Sequence, residues 1–402
     1  MIFLIFFLLL LMTLSLVMHK KIVNIPFLFL GIWLVIIILY QLKLSYHQTN
    51  LNTTTINFLL LIFASFFVGY FYIFIFYLPK YKNENLGEKD NYHSEIKISN
   101  NFVDFSFWII IILLVVESVY SKGFPLFWYL QGSPKSYFDF GLPTLHGILM
   151  SYILFFGTVL YVAIKKRLNK STKRLKVYFS LIILILIILI TRQNLVILMV
   201  QIVLAHHFMI NRINFIKLVP LGVIGILLFG IIGNFRTGLD NFLEISEFKH
   251  TNISAISSGF YWVYMYLTMT IANINNLFNM NFDYGYGVNM LQSFLPTIVL
   301  EAIYDNPNSS RFWLMHPNYT VSGYMASPFL DFGIKGVSLY SGLIGAISCI
   351  IYHQYYFKRD FRSSFLYILF LQIILMTFFT DYLLYLPVSF QLFWSIILLK
   401  SK

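Results

Sequence analysis

The 402 residues contain one cysteine, Cys349, and it lies inside an apolar run. A disulfide within the chain is therefore excluded, and so is a cysteine metal cluster. Charge is scarce as well. Asp, Glu, Lys and Arg make up 11% of the sequence, too little to clothe a soluble protein of this size. No basic stretch precedes the first apolar run, Ile2 to Met18; His19-Lys20-Lys21 follows it instead. That order is the reverse of a cleaved signal peptide's and predicts a retained first helix ending in the cytoplasm. No glycine-rich nucleotide loop and no flavin or tetrapyrrole motif occurs, so no cofactor is expected. No cluster of carboxylates calls for a metal.

What is present is apolar surface. Hydrophobic residues make up 59% of the chain and aromatics 19%, with a mean hydropathy of +0.76. Apolar runs of helix-spanning length recur from Ile2 to Leu399. In lipid the backbone must satisfy its own polar groups, so such runs predict transmembrane helices. The expected fold is all-α: a single polytopic membrane domain over 1–402 with eleven spans. They fall at approximately 2–18, 22–42, 57–78, 103–121, 144–164, 175–191, 194–210, 218–235, 331–353, 363–381 and 384–399. Between the eighth and ninth lies one large loop, 236–330.

Charge placement sets the expected orientation. Of the 28 Lys and Arg residues, twenty fall in one set of loops. That set holds Lys20-Lys21, the mixed-charge segment Pro79–Asn101, the basic run Lys165–Lys176, Asn211–Lys217, Lys358–Arg362 and the tail Lys400–Lys402. The positive-inside rule makes these loops cytoplasmic, the N-terminus external and the C-terminus internal. The net charge of +12 then reflects topology, and no nucleic-acid partner is expected. The large loop becomes extracytoplasmic. Its Arg236, Lys249 and Arg311 stand against Asp240, Glu244, Glu247, Asp283, Glu301 and Asp305, a formal −3. Within it, Ala255–Phe278 is apolar and aromatic but interrupted by Thr, Asn and Ser. It reads as a helix lying in the outer interface or packed on the bundle. Val288–Ile303, broken by Pro296, reads the same way; if both crossed, the charge parity would survive.

Arg192, in Thr191-Arg192-Gln193-Asn194, sits between two apolar runs, at the outer tip of a helical hairpin. An arginine there is costly unless paired or wet, which marks it as a functional candidate against simple snorkelling to headgroups. Arg236 ends the eighth span, and Arg311 stands in Ser309-Ser310-Arg311-Phe312-Trp313. Three arginines on one face suggest an anion, because guanidinium forks match phosphate oxygens. His316, in Met315-His316-Pro317-Asn318-Tyr319-Thr320, suits a general base or a leaving-group partner; the bland alternative is a satisfied surface histidine. His250 has weaker context, and His206-His207 reads as interfacial. Asp331 opens the ninth span in Asp331-Phe332-Gly333-Ile334-Lys335-Gly336. It reads either as a ligand for a sugar hydroxyl or as that helix's N-cap. Glu117 and Asp381 are candidate partners of the arginines. Gly222, Gly225, Gly230 and Gly233 predict close packing by the eighth span.

Taken together, the hairpin arginine, the long late loop and the Asp-Phe-Gly-x-x-Gly entry into the next helix resemble the bacterial oligosaccharide repeat-unit polymerases, the Wzy-type O-antigen and capsule polymerases. The residue-level resemblance is confined to Thr191–Leu195 and Met315–Ser341. It implies a GT-C-like membrane glycosyltransferase that joins undecaprenyl-diphosphate-linked repeat units outside the cytoplasmic membrane. Partners would be the lipid-linked oligosaccharide, membrane lipids and a chain-length regulator with other assembly proteins. On this resemblance Arg192 and Arg236 would hold the diphosphate, His316 would act in catalysis, and Arg311, Asn318, Tyr319 and Asp331 would contact substrate. The paired arginine-plus-glycine loop repeats of some polymerases are not matched by the spacing of Arg236 and Arg311. An O-antigen ligase and a non-enzymatic flippase are the rival expectations.

Overall fold

The computed structural model describes residues 1–20, 23–83, 98–169, 171–250, 253–304 and 313–399. Lys170, Arg311, the tail 400–402 and much of the 79–101 connector lie outside them. Among the described residues the architecture is helical, without a strand. The first half comprises α1 (Ile2–His19), α2 (Ile25–Gln41), α3 (Thr53–Asn83), α4 (Asn100–Ser121), α5 (Pro125–Leu130), α6 (Leu145–Lys166), α7 (Thr172–Ile188) and α8 (Arg192–Ala205), the last extended by a π-helical turn, His206–Ile210. Then follow α9 (Val219–Thr237), α10 (Leu239–Ser246), α11 (Ser258–Leu277), α12 (Val288–Leu291), α13 (Thr297–Ile303), α14 (Ala326–Lys358), α15 (Phe361–Leu375) and α16 (Leu386–Leu398).

Local chemistry sets the helix starts. Asn24 caps α2, its side chain accepting from Phe27 N at 2.9 Å, and Pro26 follows in the first turn. Asp360 caps α15 by accepting from Ser363 N at 2.7 Å. Both relieve amides that a helix start leaves unbonded. By length and composition, α1, α3, α4, α6, α8 with its π turn, and α14 can cross a membrane. A seventh candidate joins α9 to α10 across a 99° bend, while α2, α15 and α16 are shorter apolar helices. The chain is thus a helical membrane protein with six or seven candidate spans.

Two of the helix boundaries that differ from the sequence expectation bear on candidate residues. α14 begins at Ala326, so Asp331 lies inside it and is not its N-cap. α15 stops at Leu375, because Thr377 turns its hydroxyl back to Ile374 O at 2.9 Å and accepts Trp33 Nε1 at 3.2 Å. The turn segment that follows pairs with the chain entering α14: Tyr324 N donates to Thr377 O at 2.8 Å and Ser322 N to Phe379 O at 3.3 Å.

α3 and α14 form the most extensive helix pair. A Cβ at Gly69 would lie 2.0 Å from the Gly342 carbonyl oxygen, so glycine is what lets these backbones meet. α14 also carries a break at Gly333, with φ 64° and ψ −159°, a conformation open in practice to glycine alone. Glycine packing on α9 is half as expected. Gly230 and Gly233 press on Gly259 and Trp262 of α11, but Gly222 and Gly225 face open space.

Helix ends gather at two poles. At one, the α2–α3 loop meets α11 and α10, Gly147 of α6 meets Leu386 of α16, and the start of α8 meets the α15–α16 turn. At the other, Tyr77 of α3 stacks on His353 of α14 at 4.0 Å, and Tyr161 of α6 hydrogen-bonds His206 at 2.7 Å. The segment expected as a large loop is largely built into the first pole. α11 is buried along much of its length and hydrogen-bonds the α2–α3 loop, the 313–321 segment and Phe378 O.

Candidate functional site

The chain reverses between α7 and α8 in three residues, with Ile190 in the left-handed region at φ 53°. Arg192 is the first residue of α8. Thr191 precedes it without a side-chain cap bond, so the helix's first-turn amides and the positive end of its dipole add to the guanidinium charge. Arg192 Cζ lies 5.6 Å from the centre of the Phe229 ring on α9, a cation–π arrangement. Next to it, Gln193 donates to Tyr382 OH at 3.1 Å.

An aromatic wall runs from this point. Phe229 stands 5.7 Å from Tyr266 of α11, and Tyr266 stacks on Phe379 at 5.7 Å, which stacks on Tyr382 at 6.4 Å. On its other side Tyr266 stacks on Trp262, and Trp262 on Phe242 of α10. α11 carries both neighbours: its Tyr266 stands beside Phe229, under Arg192, and two turns on its Asn273 bonds Tyr319 O and Val321 O. Through α11, the structure brings Arg192 and the 313–321 segment onto one wall.

Asn273 of α11 holds that segment in place. Its Nδ2 donates to Tyr319 O at 2.9 Å and Val321 O at 2.7 Å, and its Oδ1 accepts from Met315 N at 2.8 Å. Tyr319 is buried, with its hydroxyl paired to Ser246, and burial pushes its pKa well above the usual phenol range. It is a neutral anchor. Asn318 is exposed, and its backbone N–H donates to His316 Nδ1 at 3.2 Å. That bond assigns the remaining proton of neutral His316 to Nε2, so the ring offers an N–H donor.

Sequence reasoning missed His47, in the α2–α3 loop. Its ring centre lies 6.3 Å from that of His316 and 6.1 Å from that of Tyr319. Its Nε2 is 2.9 Å from Ile245 O, and its Nδ1 is 4.0 Å from Glu247 Oε2. The available signal was a histidine among Ser45, Gln48 and Thr49 in a short connection of the same parity as His316.

Asp331, His250, Glu117 and Asp381 do not join this group. Asp331 is fully buried and caps a helix other than its own. Its Oδ1 accepts from Asn289 N (3.0 Å) and Nδ2 (2.7 Å), and its Oδ2 from Met290 N (2.8 Å), in the first turn of α12. Arg236 is the penultimate residue of α9. His250 is exposed. Glu117 and Asp381 have partners other than the arginines expected for them. Glu117 meets His146 Nδ1 at 2.9 Å, and Asp381 accepts from Tyr340 OH at 2.6 Å. No group of three potential metal ligands occurs among the described residues. No family model matches the chain, and neither a curated protein nor a solved structure matches it significantly.

Proposed function

We propose that this chain is a membrane glycosyltransferase acting at the external face of a bacterial cytoplasmic membrane. It polymerises undecaprenyl-diphosphate-linked oligosaccharide repeat units into a surface polysaccharide. The carrying observation is the wall that links Arg192, at the open start of α8, to the His316 segment at one pole of the bundle. In this reading the eleven apolar segments all cross, with the N-terminus outside and the pole bearing Arg192 facing outward. Arg192 and the α8 N-terminus hold the diphosphate, and Arg236 lies where the chain leaves α9 at the same face. The leaving group is already good, so the chemistry needs chiefly positioning and charge neutralisation. His316 serves as the leaving-group partner through its Nε2–H. Tyr319 shapes the site from behind.

Deletion of the gene, followed by a ladder gel of surface polysaccharide, tests this. A single repeat unit on its anchor is the expected result. Free lipid-linked polymer would point instead to a ligase, cytoplasmic retention of the unit to a flippase, and an unchanged ladder would refute the reading.

A further inference from the structure

The transfer reaction needs a group to take the acceptor's proton, and His316 uses its Nδ1 lone pair locally. His47 has the opposite arrangement. Nε2 faces the Ile245 carbonyl at 2.9 Å, which assigns the proton to Nε2 and leaves Nδ1 as the acceptor nitrogen, 4.0 Å from Glu247 Oε2. The His47 side chain is 7% exposed and that of Glu247 54%, so the open side of the pair is at the carboxylate.

The pair is built rather than incidental. Tyr46 N donates to Glu247 O at 3.0 Å and Lys249 N to Leu44 O at 2.9 Å, around an antiparallel bridge between Ser45 and Phe248. Ser45 Oγ donates to Ser246 O at 2.7 Å. Gln48 locks the loop to α11 through Thr268 at 3.1 Å and Tyr264 at 3.1 Å. Residues that register and stiffen a histidine–carboxylate pair in this way are a preorganised support. Glu247 itself sits in the left-handed region at φ 46°. The titratable groups set toward His47 are Glu247 from the end of α10 and His316 and Tyr319 from the 313–321 segment.

Resting on the function proposed above, we infer that His47 is the proton acceptor of the transfer and Glu247 its positioning partner. The bond between the anomeric carbon and the diphosphate oxygen breaks, and its electron pair leaves with the polyprenyl diphosphate. The acceptor hydroxyl oxygen forms the new bond to that carbon, and its proton passes to His47 Nδ1. The resulting imidazolium faces Glu247, which stabilises it.

The test uses the full-length protein in nanodiscs with the lipid-linked repeat unit extracted from the deletion strain. H47Q keeps a donor for Ile245 O and is expected to lower the rate by about 10²–10⁴-fold. E247Q, at an exposed side chain, is expected to lower kcat with KM unchanged, and E247D to restore part of kcat. A purely structural role would move KM and protein amount as well and would show no such rescue. A wild-type rate from H47Q, or an unchanged kcat in E247Q, overturns this assignment while leaving the polymerase reading intact. A deletion strain that accumulates no lipid-linked unit overturns the reading itself, and this inference with it.

Discussion

Arg192 offers the sharpest test of the anion site. Truncation to alanine removes the guanidinium at the start of α8 and its contact with Phe229, 5.6 Å from Cζ. At such a half-buried site that contact is worth about 0.5–2 kcal/mol, and protein amount is followed alongside activity so that a folding effect is read separately. Losing a donor aimed at developing negative charge costs far more in rate, about 10²–10³-fold, or ~2.7–4 kcal/mol of barrier. Arg192→Lys keeps the charge but loses the two-pronged geometry, so a loss of roughly tenfold, ~1.4 kcal/mol, is expected. The assay is the surface-polysaccharide ladder from a deletion strain carrying each variant, normalised to protein amount in the membrane fraction. Long chains should vanish in Arg192→Ala and shorten in Arg192→Lys. Full-length ladders from Arg192→Ala would refute the anion site. Loss of protein from the membrane would show that the guanidinium matters to folding and not to substrate.

Three other outcomes follow. On the proposed orientation, cysteines at His250 and Asn318, both exposed, should react with an impermeant thiol reagent in intact cells, and one at Lys165 should not; buried Cys349 gives little background, and the reverse pattern would refute that orientation. Gly69→Ala would place a Cβ 2.0 Å from the Gly342 oxygen, and prising α3 from α14 should cost about 1–3 kcal/mol, read as a lower unfolding temperature in detergent; an unchanged temperature would contradict this packing. Asp331→Ala strips three donors of their acceptor at the start of α12. Each orphaned donor costs about 1–3 kcal/mol, so proteolysis near 285–292 should accelerate, and an unaltered cleavage pattern would argue against the cap.

Much of the architecture was legible from composition. A chain with 11% charged residues and long uninterrupted apolar runs reads as a membrane helix bundle, because a run of that length satisfies its own backbone in lipid as a helix. The hairpin tip at Arg192 was legible too, since two apolar runs separated by a short polar break leave little room for another path. Helix ends were less so. α15 stops at Leu375 because Thr377 bonds both Ile374 O and Trp33, and Trp33 stands 344 residues away in sequence.

What the sequence determined alone is local: hydropathy and the alternation of charge from loop to loop. Tertiary structure decided every pairing across the pole. It set His47 beside Glu247 by bridging the α2–α3 loop to the end of α10. It turned Asp331 from its own helix to the start of α12, and it gave Glu117 to His146 instead of an arginine. It also drew α11 into the pole as a buried brace. The physical reason is one of range. Periodicity and capping act within a few residues along a helix, whereas the partner of a polar side chain buried between helices is chosen by which backbones can approach, and that is fixed only when the bundle closes.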